Sequence, residues 1–336
     1  VSQPFINKLQ PAPVGGGFAM EDYWVWCGSA IRGEDNRYHL FASRWPRALP
    51  FFDGYLTHSE IVRASADTPT GPYQFEEVIL GARGEQYWDG QITHNPSVLR
   101  VQDKFLLFYI GATYAGAKPT PEEVHAGCPQ AKQCYPTIRI GLATADSVKG
   151  PWHRPDRPVL EPRPGKWDNT VVTNPAPCAR PDGSIMLHYR SNTPNGLRLG
   201  VTGAERWDAP YVRLRDDPVI QFEAGFVEDP FVWWAHDHFG MIAKDWTGQI
   251  TGEQGAGIHA TSPDGLDFEL ADPNKAYSRH IQWDDGSTVE QSHFERPQLL
   301  IEDGRPTHLF AATGDGEHGF HFTRSWNMVV PLNNGA

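Results

Sequence analysis

The chain has no apolar run approaching the roughly 18 residues that a membrane-spanning helix needs, so no segment reads as inserted in a membrane. Positive charge is also in short supply. With 29 Lys and Arg against 41 Asp and Glu, the formal net charge is -12. That speaks against nucleic acid or an anionic membrane surface as the main partner, because both reward clustered cations. Cysteine is sparse, 4 in 336 residues, which excludes a disulfide scaffold at this size, and no His/Cys cluster has zinc spacing. A Gly-rich phosphate loop and a Gly-x-Ser-x-Gly elbow are both missing, so kinase and serine-hydrolase readings lose support. Long amphipathic helical periods are missing too.

What the chain does have is turns and aromatics: 33 Gly, 29 Pro and 12 Trp favour short strands and an all-β architecture. It also repeats. Trp88-Asp89 precedes Asn95-Pro96 by the same interval at which Trp167-Asp168 precedes Asn174-Pro175, and each pair is followed by apolar strand, polar turn and apolar strand. Five such units are found, at 21 to 45, 94 to 111, 173 to 191, 228 to 245 and 295 to 313. A weaker strand pair follows each, at 59 to 80, 137 to 160, 196 to 220, 257 to 273 and 320 to 332. Five hairpin-plus-hairpin units predict a five-bladed β-propeller over residues 1 to 336, with inner strands starting near 22, 95, 174, 229 and 296. A two-sheet sandwich would explain no repeat. The fifth unit has only one clear outer strand, so residues 1 to 20 or 320 to 336 should complete a blade and close the ring.

In a propeller the innermost strands start at the mouth of the central channel, so the unit heads should converge. These are Glu21-Asp22, His94-Asn95, Thr173-Asn174, Glu228-Asp229 and Glu295-Arg296. The insertions at 46 to 58 and 114 to 136 would form its rim. Converging carboxylates with aromatic walls suit acid/base cleavage of an acetal, which needs one protonated and one ionised carboxyl. Asp22 and Glu228, on opposite sides of a five-membered ring, fit the inverting separation of about 6.5 to 9.5 Å. His94, Asn95, Asn174, Arg190, Asp229, His293, Glu295 and Arg296 are candidates to hold sugar hydroxyls, against a plain structural bond at a strand end.

The order of these pieces, with Asp22 at the first head, Glu228-Asp229-Pro230 at the fourth and outer-strand phrases such as the one at 143 to 152, resembles the five-bladed propeller glycosidases. Chief among them are glycoside hydrolase family 43 and its relatives in families 32, 62 and 117. The resemblance covers nearly the whole chain as architecture, through short motifs. It implies Asp22 as general base and Glu228 as general acid. The family's third Asp, which orients the acid and tunes its pKa, is replaced by Asn174. An amide cannot repel an ionised acid, so Asp168, Asp229 or Glu295 would have to take over that task. His293 has three readings: an acid in the manner of family 117, a ligand for a central cation, or a satisfied polar residue, with the last two favoured. The partner implied is a carbohydrate. No redox cofactor is required, and a structural calcium ion in the central channel is allowed. The competing readings are a propeller that binds carbohydrate without cleaving it, and a hydrolase with its acid in the fifth blade, at His293 or Glu295.

Two of the cysteines, Cys128 and Cys134, share one Pro-rich loop and are near enough to be bonded, the alternative being two free thiols. The expectation is a local disulfide and, with it, a secreted or periplasmic setting. Cys27 and Cys178 read as small core residues.

Overall fold

The computed structural model describes residues 3 to 316 and 319 to 333. Strand β1 (Phe18–Ala19) opens the chain and is followed by the first blade, β2 (Tyr23–Arg32), β3 (Tyr38–Pro46), β4 (Glu60–Ala66) and β5 (Gln74–Leu80). The second blade has β6 (Ile92–Val101), β7 (Lys104–Ala112) and β8 (Arg139–Ala145), with single bridges from Leu160 and His153 along its outer edge. The third holds β9 (Thr173–Ala179), β10 (Ile185–Thr193), β11 (Gly196–Ala204) and β12 (Val212–Arg213). The fourth holds β13 (Val227–Trp234), β14 (Phe239–Asp245), β15 (Gly257–Ser262) and β16 (Glu269–Tyr277), after which β17 (His280–Gln282) and β18 (Thr288–Glu290) form a separate hairpin. The last holds β19 (Glu295–Glu302), β20 (Arg305–Gly314) and β21 (Ser325–Pro331). Its outer strand is β1, paired through Phe18 with Asn327 and Ala19 with Trp326. The ring is therefore closed by strands from both ends of the chain, and the two terminal segments share a blade. This is the five-bladed β-propeller expected from the repeat.

The blades are meanders of adjacent antiparallel strands, so their faces are apolar on both sides and the core is divided among the seams between them. Phe41, Ile61, Phe105 and Tyr109 fill the seam of the first and second blades. Ile110, Ile140, Leu187 and Tyr189 fill the next. Met186, Val232, Met241 and Ala260 follow, then Ile242, Tyr277, Leu309 and Met328, and Val25, Leu40, Phe310 and Val329 complete the circuit.

Each of the two Trp-Asp steps lies just before an inner strand and builds the same anchor. Asp168 is fully buried and accepts hydrogen bonds from Arg163 at 2.9 Å, Arg213 at 3.0 Å and the Tyr189 hydroxyl at 2.7 Å. Trp167 stacks on Tyr189, with centroids 6.1 Å apart. Asp89 takes Arg83 at 2.7 Å and the Tyr109 hydroxyl at 2.8 Å, and Trp88 stacks on Tyr109 at 5.7 Å. A side chain on Gly141 or Gly200 would strike these stacks, its Cβ falling 2.6 Å from Trp88 or 2.5 Å from Tyr189. The most conspicuous element of the repeat is thus a structural device.

The two insertions carry helices α1 (Phe51–His58) and α2 (Pro129–Cys134). Asp53 of α1 accepts the backbone N–H groups of Gly127 and Cys128 at 2.8 and 3.0 Å, which ties the insertions together over one mouth of the channel. The expected disulfide is not formed. Cys128 and Cys134 are free, buried thiols at either end of α2, and the ground for expecting an oxidising compartment goes with it. Apolar burial, not a covalent bond, holds this loop, for Cys134 packs into the core beside Ile138 and Tyr114. Titration of the denatured, unreduced protein should find four thiols; two would mean that the bond exists.

Candidate active site

One residue in each inner strand has a left-handed backbone: Cys27 (φ 57°), Asn95 (52°), Asn174 (54°), Asp229 (54°) and Arg296 (54°). Each sits at a shift in strand register, so the five heads are β-bulges of one kind. A bulge re-aims a side chain, and a positive φ is costly for residues other than Gly, Asn or Asp. Finding Cys and Arg in that conformation indicates that the fold requires the direction it gives.

The five side chains join. Cys27 donates its thiol hydrogen to Asn95 Oδ1 at 2.7 Å, and Asn95 Nδ2 donates to Asn174 Oδ1 at 3.2 Å. Asn174 Nδ2 in turn donates to Asp229 Oδ1, which also receives Arg296 Nη1 at 3.1 Å, while the Arg296 backbone N–H reaches Asp229 Oδ2 at 3.0 Å. The Arg296 guanidinium lies beside the Cys27 thiol and closes the ring. Burial keeps that thiol protonated by pushing its pKa up.

Beside this ring lies a cavity of about 560 Å³. Trp26, Trp45, Phe51 and Tyr55 form one aromatic wall, and Arg190, Glu228, Glu295 and the half-exposed Trp246 lie on the other sides. His94 is buried, in contact with Ser59 Oγ through Nδ1 at 2.8 Å and with Cys27 Sγ through Nε2 at 3.5 Å. Burial, with Arg296 nearby, holds its imidazole neutral.

The charged centre is a carboxylate pair on one ammonium. Lys244 Nζ donates to Glu228 Oε1 at 3.1 Å and also to Glu295 Oε1. The two carboxyl groups come from adjacent blades, and both are more than nine-tenths buried. Burial raises the Glu228 pKa, with Asp229 adding to the rise and Lys244 and Arg190 opposing it. Glu295 is pushed up to about 7, first by burial and then by Glu228 and Asp229, against the pull of Lys244. Lys244 lies 4.3 Å from the centre of the Trp246 ring. That Trp stands on a loop pinned by Asp245, which accepts the backbone N–H groups of Gly248, Ile250 and Thr251 at 2.8, 3.0 and 2.9 Å.

Of the residues singled out from sequence, His94, Asn95, Asn174, Arg190, Glu228, Asp229, Glu295 and Arg296 all line this cavity. Three others do not. Asp22 is exposed and borders a separate groove near Tyr23 and Trp326. The true head of the first blade is Trp26-Cys27, followed by Gly28, whose Cβ would fall 2.6 Å from Asn327. Asp168 is held in its structural anchor, where burial alone would raise its pKa but Tyr189, Arg163 and Arg213 together lower it. It cannot tune an acid in the cavity. His293 is buried behind the aromatic wall, its ring tilted by 34° against Phe320 with centroids 3.9 Å apart.

Lys244 was not foreseen. It is the cross-strand partner of Glu228 as Arg190 is of Thr173, so the two cations occupy equivalent places in neighbouring blades, and that equivalence was available to sequence reading. A calcium ion does not fit the ring. It requires six to eight oxygen ligands, whereas one of the five ring members is a guanidinium and another a thiol. Among the described residues no group of three or more His, Cys, Asp and Glu is placed to hold a metal.

No family model matches the chain, and no curated protein is similar to it. Solved structures are similar over nearly its whole length. Zg3597, a family 117 glycoside hydrolase from the marine bacterium Zobellia galactanivorans, has a TM-score of 0.67 at 15% identity, covering 98% of this chain and 90% of that one. A thermostable family-43 glycoside hydrolase has a TM-score of 0.60 at 14% identity, covering 93% and 89%. A GH43_1 enzyme from Xanthomonas citri complexed with xylotriose has a TM-score of 0.59 at 16% identity, covering 98% and 92%. At these identities the likeness is one of fold, and the fold is that of five-bladed glycoside hydrolases.

Proposed function

We propose that the chain is a glycoside hydrolase whose reacting carboxyl groups are Glu228 and Glu295. The observation that carries this reading is the buried pair sharing Lys244 in a cavity with aromatic walls. Glycosidic cleavage needs one carboxyl protonated and one ionised at the same pH. Glu295, with its pKa near 7, supplies the proton for the leaving oxygen. Glu228, whose ionised form Lys244 and Arg190 favour against burial and Asp229, is the carboxylate that meets the developing positive charge at the anomeric carbon.

The separation bears on stereochemistry. Both carboxylates contact one nitrogen, so their nearest oxygens are no more than two hydrogen-bond lengths apart. This suits the retaining separation of about 5 to 5.5 Å better than the roughly 6.5 to 9.5 Å that leaves room for an attacking water. Glu228 then attacks the anomeric carbon, the bond to the leaving oxygen breaks as Glu295 protonates it, and water, deprotonated by Glu295, releases the sugar from Glu228. Lys244 stabilises whichever carboxylate is charged at each stage.

The test is a panel of nitrophenyl furanosides and pyranosides with plant and algal oligosaccharides. Wild-type protein should turn over at least one member, and Asp22→Asn should turn it over at the same rate, since Asp22 is outside the cavity. An inactive Asp22→Asn protein would return the base to the first blade. Binding of an oligosaccharide without turnover would favour a carbohydrate-binding propeller.

A further inference from the structure

Among the described residues, the guanidinium groups of the Trp-Asp anchors and of the ring of inner-strand heads are each held by a carboxylate at close range. Arg163, Arg213 and Arg83 lie within 3.0 Å of Asp168 or Asp89, and Arg296 lies 3.1 Å from Asp229. Arg190 is not. Only 13% of its side-chain surface is exposed, yet its nearest carboxylate oxygen, Glu228 Oε2, is 3.9 Å from Nε, beyond hydrogen-bond range. Nε itself is buried with no hydrogen-bond partner. Nη1 donates to Asn192 Oδ1 at 2.5 Å, and Asn192 Nδ2 donates to the Tyr135 hydroxyl at 2.8 Å, while Glu228 and Asp229 favour the cation through space with no carboxylate bonded to it. A buried donor left without an acceptor is costly, and a complex that supplies the acceptor recovers that cost.

The rest of the cavity has the same bias. Trp45 Nε1 and Arg296 Nε and Nη2 are also buried donors without acceptors. The carboxylates that could serve them are already engaged, Glu228 and Glu295 by Lys244 and Asp229 by Arg296 and Asn174. Three cations, Arg190, Lys244 and Arg296, face these three carboxyl groups. When Glu295 carries the proton it needs as an acid, one positive charge is left over. The wall is rich in donors and poor in acceptors, so the missing partner is an oxyanion.

We infer that the sugar accepted by this cavity carries a carboxylate, as a hexuronate does, and that Arg190 receives it. A planar fork matches a carboxylate in a bidentate way, which a lysine would not. A sugar acid is favoured over a free anion because the corner opens beside apolar and aromatic surface. Leu197 is the cross-strand partner of Asn192, and Phe226 and Tyr55 line the same cavity. The inference deepens the glycoside hydrolase reading by naming its substrate class, but the anion corner stands on its own geometry.

The experiment is a calorimetric or tryptophan-fluorescence titration of the whole chain with D-galacturonate and D-glucuronate, with D-galactose and D-glucose as neutral counterparts, and with inorganic phosphate, all at one ionic strength. A uronate should bind at least tenfold more tightly than its neutral counterpart. Arg190→Gln should abolish that ratio, and Arg190→Lys should keep only part of it. Equal binding of uronate and neutral hexose by the wild-type protein overturns the inference without recourse to any variant. So does a uronate preference that survives Arg190→Gln, or phosphate binding that depends on Arg190 as strongly, which would assign the corner to a free anion. Uronate binding with no glycoside turned over would sink the hydrolase reading and leave the corner standing. Turnover confined to neutral glycosides would do the reverse.

Discussion

Glu295→Gln should lower kcat/KM on an unactivated oligosaccharide by about a hundredfold to ten-thousandfold, the usual worth of a positioned general acid. An aryl glycoside with a good leaving group needs little protonation and should lose far less in its first step. The wild-type pH profile should fall above about 7, where Glu295 gives up its proton. Lys244→Met tests the electrostatic origin of that limb. The ammonium favours the ionised carboxyl and so lowers its pKa; without it the pKa rises, and the alkaline limb should move to higher pH. A limb that moved to lower pH, or a Glu295→Gln protein equally impaired on every leaving group, would contradict the assignment of the acid.

Asp168→Ala should cost stability and not chemistry. The carboxylate is fully buried, and Arg163 and Arg213, 20% and 15% exposed at the side chain, would be left without it. Breaking a buried pair by removing one partner costs about 3 to 5 kcal/mol, and the Tyr189 hydroxyl loses its acceptor as well. The denaturation midpoint should fall accordingly, while turnover below the transition stays within twofold. Because its folded pKa is lowered, the Asp168 contribution is present above the unfolded value of 3.8 and lost as pH falls through the folded one. A loss under about 1 kcal/mol, below the range for a buried pair, or a stable protein without turnover, would contradict the structural assignment.

The repeat made the fold legible because a propeller repeats its physics: every blade needs an inner strand, a turn and a seam. Four of the five channel heads could be read for the same reason, since a Pro follows Asn95, Asn174, Asp229 and Arg296. The first blade escaped because Gly28 stands where the others have Pro, and an acid five residues before Cys27 mimicked the pattern. Spacing to the turn would have found it. Asn95, Asp229 and Arg296 precede Gln102, His236 and Asp303 by seven residues, and seven residues before Glu34 is Cys27. Asp168 misled in another way. A carboxyl close in sequence to Asn174 is a candidate to tune the acid, and only packing shows that its partners are Arg163, Arg213 and Tyr189. The sharing of Lys244 between two blades depends on side-chain direction and could not be read from spacing.

The most direct measurement is the anomeric configuration of the first-formed sugar, followed by proton NMR within the first minutes of hydrolysis of whichever glycoside the wild-type protein turns over. With Glu228 and Glu295 as the reacting pair at the separation that Lys244 imposes, the first product has the configuration of the substrate and Glu228→Gln forms none. A first product of inverted configuration, or one still formed at the wild-type rate by Glu228→Gln, would contradict the pair.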